Sequence, residues 1–255
     1  MFIRTLQFRA EVVIYSFLDV LPYFVLFFVW KAIFKQVDTL NSFTLSEIVN
    51  YYLLVIVIER LSATHFESWR TEEIRMGKID YFLTRPFSYL SEIYSKEVSS
   101  KLISILFSIP VISIFFIANV IIYNIDQSNI TLQSLLIFLL MMLAAHTIQF
   151  FIALWIVLLG FWMEGSSGLE HFKWIVLTLF SGAMIPIEFM PNWLKTITNV
   201  LPFKYVFSVP ITVLQNKYAL GLYDYVYVAF ILFGMAYISK VLWEKAKFKY
   251  CSAGG

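Results

Sequence analysis

The chain has 255 residues, of which 60% are hydrophobic and only 14% charged, a balance outside that of water-soluble domains. A formal net charge of +2 is too small for a nucleic-acid binder, and Cys251, the single cysteine, excludes an internal disulfide and a thiolate metal site. What remains is a membrane protein, in which the placement of charge says more than its total.

The first twenty residues, MFIRTLQFRAEVVIYSFLDV, interleave Arg4, Gln7, Arg9 and Glu11 with Phe2, Ile3, Leu6, Val13 and Phe17, the pattern of an interfacial helix leading into a first span. The apolar run that follows is too long for a signal-peptide core and shows no A-x-A site, so this segment is expected to be retained. A crossing helix needs about 20 apolar residues, because the hydrocarbon layer is about 30 Å thick and a helix rises about 1.5 Å per residue. Six segments qualify: 12–34, 46–66, 102–123, 134–162, 173–189 and 223–243. The third carries no charge, and the fourth is long enough to tilt, kink or protrude. The fifth is short, interrupted by Pro186, Glu188 and Pro191, and the mixed stretch up to Leu222 adds Pro202 and Pro210. The expected fold is therefore all-α: one polytopic membrane domain over 1–255, with six transmembrane helices and no internal repeat.

Lysine and arginine collect on the inner side of a membrane. With the N-terminus inside, the inner face gathers Arg4, Arg9, Arg70, Arg75, Lys173 and the lysines from Lys240 to Lys249, among others. The outer face keeps Lys31, Lys35, Lys195, Lys204 and Lys217. That asymmetry predicts both termini in the cytoplasm.

Signals for catalysis are missing. There is no G-x-x-x-x-G-K-[ST] loop, no H-E-x-x-H and no G-x-S-x-G, and His65, His146 and His171 are too scattered to suggest a metal site. The chain is read as no enzyme, with no catalytic, cofactor-binding or metal residue nominated. Ionisable residues within spans cost about 2.5–3.5 kcal/mol each at a helix centre, which singles out Asp19, Glu59, Arg60 and His146. Glu59 and Arg60 lie near the inner end of span two, where pairing or reaching for the interface relieves that cost. Asp19 falls a turn before Pro22, at the junction of the interfacial helix with span one. His146 suits an interhelical hydrogen bond better than a proton relay, since its own run offers no partner acid.

From Phe66, FESWRTEEIRMGKIDYFLTRPFSYL sets Glu67, Arg70, Glu73 and Arg75 amid Trp69, Ile74, Ile79, Phe82 and Leu83 at helical spacing. Gly77 permits a bend and Pro86 stops the helix. Such an element can lie along the membrane and offer side chains to a soluble partner, although an ordinary amphipathic loop has the same spacing.

The stretch EEIRMGKIDYFLTRPFSYL resembles the segment after the second span of type-2 ATP-binding-cassette (ABC) exporter permeases, with Gly77, Lys78, Asp80, Leu83 and Pro86 in the recurring positions. FSGAMIPIEFMPNWLKTITNVLPFKYVFSVP is similar to that family's outer region near span five, matched at Ser181, Gly182, Pro186, Pro191, Trp193 and Pro202. The ending KYCSAGG resembles the tail of one branch. The resemblance implies a permease subunit in a bacterial-type plasma (inner) membrane, paired with a second permease and with ABC ATPase subunits that bind ATP and Mg. It implies a cytoplasmic coupling helix, with polar contacts to the ATPase from Arg75, Lys78, Asp80 and Arg85 and an apolar anchor of Ile79, Phe82 and Leu83. It further implies re-entrant outer helices between spans five and six that gate the pathway. Lipid and a small amphipathic substrate would be the other partners, and nucleic acid none. Two alternatives stay open: a proton- or ion-driven secondary transporter, and a non-transporting membrane assembly factor.

Overall fold

The computed structural model describes residues 21–23, 25–83, 88–102, 105, 113, 117, 130–163 and 166–250. Asp19, Arg85, Pro86, the expected interfacial helix and nearly all of the expected third span lie outside the described residues. Among those described there is no β-strand. The helices are α1 (Leu21–Ile33), α2 (Leu45–Ser62), α3 (Glu67–Arg75), α4 (Asp80–Leu83), α5 (89–102), α6 (Leu132–Leu159), α7 (Ser167–Phe180), α8 (Asn192–Val200), α9 (Ser208–Leu214) and α10 (Leu222–Lys249). Single 3₁₀ turns at Ile187–Phe189 and Pro202–Tyr205 join the short pieces between α7 and α9.

Local chemistry sets the starts of the long helices. At α2 the Thr44 N–H donates to Glu47 Oε2 at 2.7 Å while the Glu47 N–H donates to Thr44 Oγ1 at 3.3 Å, a reciprocal cap. Thr131 and Ser134 do the same for α6. At α10 the Gly221 N–H donates to Asp224 Oδ2 at 3.0 Å, and Asp224 also accepts from Tyr205 and Tyr218.

Helix α6 is the central post, touching α2, α3, α7, α9 and α10. Ala144, Ala145 and Ala153 on its buried faces let those neighbours approach closely. Both α6 and α10 have 28 residues, about 42 Å at 1.5 Å per residue, and are apolar enough to cross a bilayer. They differ in surroundings: only 17% of the most apolar stretch of α10 is buried, against 44% for α6. Phe230 and Phe233 on α10 are 73% and 78% exposed, a face that water would penalise and lipid tails would not. Such an outward apolar face separates α10 from the core helix of a soluble protein.

The largest departures from the expected boundaries are in α7 and α10. Helix α10 runs on to Lys249, past the expected 243, because Lys247 and Lys249 in its last turn suit a helix C-terminus in water. Helix α7 covers Ser167–Phe180 where 173–189 was expected. Its early turns are polar, so hydropathy undercounts them, and it stops where Gly182 takes a φ of +88°. At about 21 Å it is shorter than the hydrocarbon layer. All seven residues of α9 are buried, as are Ser181, Gly182, Ala183, Pro186, Ile187 and Met190 of the irregular backbone after α7, while Met184 and Ile185 face outward.

Candidate functional site

Two groups of the sequence-nominated residues gather at opposite ends of the bundle. At one end, α3 and α4 meet in a tight corner at Gly77. The Gly77 N–H donates to Ile74 O at 3.1 Å and the Lys78 N–H to Glu73 O at 3.0 Å, closing the end of α3 with the residue after its cap in the left-handed region, φ +72°. This is the terminating arrangement in which glycine is preferred, so the glycine of the motif is a helix stop.

Beneath the corner, Ile74, Ile79, Tyr89 and Ile93 pack with Leu154 and Val157 of α6. Ile79 is 2% exposed, which corrects the expectation that it anchors a soluble partner: the corner turns it inward onto α6. The outward side chains are instead Trp69, Met76 and Tyr81, with the charged Arg75 and Lys78 beside them. Arg75 pairs with Glu72 at 3.1 Å, and Phe82 packs on Tyr89 with ring centroids 5.4 Å apart. Leu83 closes α4. Asp80 sits against the chain's tail: burial and that carboxylate together push the Tyr250 phenol up to about 12.

Arg70 is buried to 1% exposure, the opposite of the solvated charge its spacing suggests. Its guanidinium meets Glu73 at 2.8 Å and Glu92 of α5 at 2.9 Å and lies 4.2 Å over the Trp69 ring. With Lys78, Phe82, Tyr89 and Lys96 it lines a cavity of about 50 Å³. Buried Tyr89 has its phenol pushed up by desolvation.

Between α2 and α3 the chain is extended at Ala63, and the carbonyls freed there are met by cations. Lys101 of α5 donates to Ala63 O, and Lys173 of α7 donates to Thr64 O at 2.8 Å while pairing with Glu67. On the α6 side, Gln149 Nε2 donates to Ser62 Oγ at 2.8 Å and Thr64 Oγ1 donates to Gln149 O at 3.1 Å. His146 Nδ1 lies 3.1 Å from Ser62 O, an interhelical contact. Glu59 and Arg60 are half-buried near the last turn of α2, each with partners. Among the described residues no cluster of His, Cys, Asp and Glu could hold a metal ion.

At the opposite end, the loop after α7 is clasped from two sides. Tyr51 Oη donates to Gly182 O at 2.8 Å, and Tyr52 Oη donates to Met184 O at 2.8 Å while accepting from Trp30 Nε1 at 2.8 Å. The Ser208 N–H donates to Ser181 O at 3.0 Å, tying the same loop to α9. Pro186 precedes the first 3₁₀ turn, Pro191 precedes α8, and Pro202 opens the second turn. Trp193 is 66% exposed. An open cavity of about 590 Å³ is lined by Asn41, Glu188, Phe189, Asn192, Lys195 and Asn199. Tyr51→Phe leaves the Gly182 carbonyl buried without its donor and is expected to cost about 1–3 kcal/mol, read from SDS-titrated unfolding in mixed micelles.

Sequence reasoning missed Trp30, Tyr51, Tyr52, Lys101 and Lys173. Tyrosine and tryptophan in an apolar run read as padding or interface belts, and nothing local to Tyr51 announces a carbonyl 131 positions away. The available signals were Lys101 and Lys173, cations at the edges of the expected spans 102–123 and 173–189.

No curated protein and no solved structure matches the chain. The profile of a family described as ABC-2 family transporter protein matches residues 20–254, which takes in both clusters and every described helix. With apolar helices long enough to cross a bilayer and nearly the whole length matched, this chain belongs to the ABC-2 transporter family and is a membrane permease of that type.

Proposed function

We propose that the chain is the permease subunit of an ABC exporter, paired with a second permease and driven by separate ATPase subunits that bind ATP and Mg. The corner formed by α3 and α4 is where an ATPase grips it. The observation that carries this reading is the contrast within that corner. Its inner side is built into α6 through Ile74 and Ile79, while Trp69, Met76 and Tyr81 face outward beside Arg75 and Lys78. Aromatic, Met and basic side chains on a rigid scaffold are the composition of an interface core. The same end holds the basic last turn of α10, which supports a cytoplasmic placement with both termini inside, in a bacterial-type inner membrane.

The far end then forms the outer gate. The 3₁₀ turns, α8 and α9 are read as re-entrant pieces that close the pathway for a small amphipathic substrate, with Ser181 and Gly182 as the hinge point. ATP-driven closure of the two ATPases would bias two arrangements of this bundle; the permease performs no covalent chemistry.

Gly77→Pro tests the grip. Proline cannot take the φ of +72° and removes the N–H given to Ile74, so the corner must rebuild. Membrane insertion is expected to persist, while the amount of ATPase co-purifying from solubilised membranes falls at least about tenfold, equivalent to about 1.4 kcal/mol. Undiminished co-purification would place the ATPase elsewhere.

A further inference from the structure

We infer that Glu67 and Lys173 form a joint that fixes the register of α3 against α7, so that displacement of the α3–α4 corner is carried to the loop at Gly182. The inference rests on reading that corner as the ATPase grip. Helix α3 itself lies on α6 through apolar contact, with Phe66 and Phe150 rings 5.5 Å apart and Ile74 among Leu154 and Val157, and only the Thr64 hydroxyl just before it donates to Gln149 O of α6. Apolar contact is non-directional and lets packed helices shear by small steps.

The α3–α7 bonds are of another kind. The Lys173 ammonium is bonded at once to the Glu67 carboxylate and to Thr64 O at 2.8 Å, with side chains only 8% and 3% exposed. One turn earlier on α7, the Glu170 carboxylate accepts from Ser68 Oγ at 2.6–2.7 Å and from Ser166 Oγ at 2.6 Å. Two polar attachments a turn apart define both position and rotation. A buried pair holds register because sliding would strand a charge away from water. Lys101 joins α5 to the same junction through Ala63 O.

From Lys173 the helix α7 runs without interruption through Phe180 to Ser181 and Gly182, where Tyr51 and Ser208 grip the chain. Held to α3 by charge at Lys173 and gripped by hydrogen bonds just past its C-terminus, this helix connects the two clusters. Glu67 and Lys173 are therefore positioning residues: neither needs to touch nucleotide or substrate.

The test uses the full chain as Glu67→Lys, Lys173→Glu, the exchanged double variant Glu67→Lys with Lys173→Glu, and Lys173→Arg. Hydrogen exchange over 167–186 is measured on the permease alone. In complex with the ATPase, in a Cys251→Ser background, spin labels at the exposed positions Trp193 and Leu222 report whether ATP changes their separation. Each single reversal is expected to speed exchange over 167–186 at least about tenfold and to abolish the ATP-dependent shift, while the ATPase still co-purifies and hydrolyses ATP. The exchanged pair and Lys173→Arg should return both readouts to within about threefold of the parent, as a restored charge pair would. If a reversal fails to insert, Lys173→Met, which keeps the stem and removes the charge, serves in its place. Reversals that exchange and respond like the parent, or an exchanged pair that rescues nothing, would overturn the joint. A parent complex in which ATP never moves the labels, while exchange still follows the charge pair, would overturn the ATPase-driven reading instead.

Discussion

Arg70→Ala is expected to destabilise the permease by about 3–5 kcal/mol, the cost of removing one partner from a buried ionic group. The loss should appear as a lower SDS midpoint in mixed micelles. The guanidinium is 1% exposed and holds Glu73 and Glu92 apart from each other. Without it Glu73 and Glu92 are left with Lys96, which pairs with Glu92, and Lys78, which lines the cavity beside Glu73, as neighbouring cations. Because the penalty arises from stranded charge, Arg70→Met combined with Glu92→Leu should recover most of it, leaving Glu73 to the solvent it already reaches. A loss below about 1 kcal/mol for Arg70→Ala, the size of an exposed pair, would show that this triad is not dry in the native protein.

Gly182→Ala should cost about 2–4 kcal/mol, adding the left-handed backbone penalty of a residue with a Cβ to the overpacking of a filled site. At φ +88° a Cβ would stand 2.8 Å from Tyr51 Oη and 2.9 Å from Ser208 Cβ, so relief requires breaking a grip on the loop. Gly168→Ala is the control. It lies in the first turn of the same helix with open space around it, and should be neutral or gain up to about 1 kcal/mol from helix propensity. Comparable losses at both positions would mean that Gly182 is not clasped. If the loop is the outer gate, Gly182→Ala should also leave ATPase co-purification unchanged, because the substitution is at the end of the bundle away from Gly77.

The long helices were legible where hydropathy and helix coincide. The expected 134–162 became Leu132–Leu159 because an uninterrupted apolar run admits little else in lipid. Legibility failed where polarity and helicity part company. The first turns of α7 are polar yet helical, and the last turns of α10 leave the apolar layer without leaving the helix. The corner at Gly77 was foreseen as a bend, but its orientation was not. A period of 3.6 assigns residues to faces without saying which face meets α6, so Ile79 was placed outward and the burial of Arg70 was not foreseen.

By itself the sequence determined a membrane protein, the order of its apolar segments and the places where glycine and proline interrupt them. These are properties of composition and neighbours along the chain. Only the tertiary structure decided which charges are buried and what answers them: Arg70 between Glu73 and Glu92, Lys173 on Glu67, Tyr51 on Gly182 O. The physical reason is that a charge or carbonyl can leave water only where a partner waits. For Glu67 that partner is Lys173, 106 positions along the chain, which packing around α6 brings to it and local periodicity does not record.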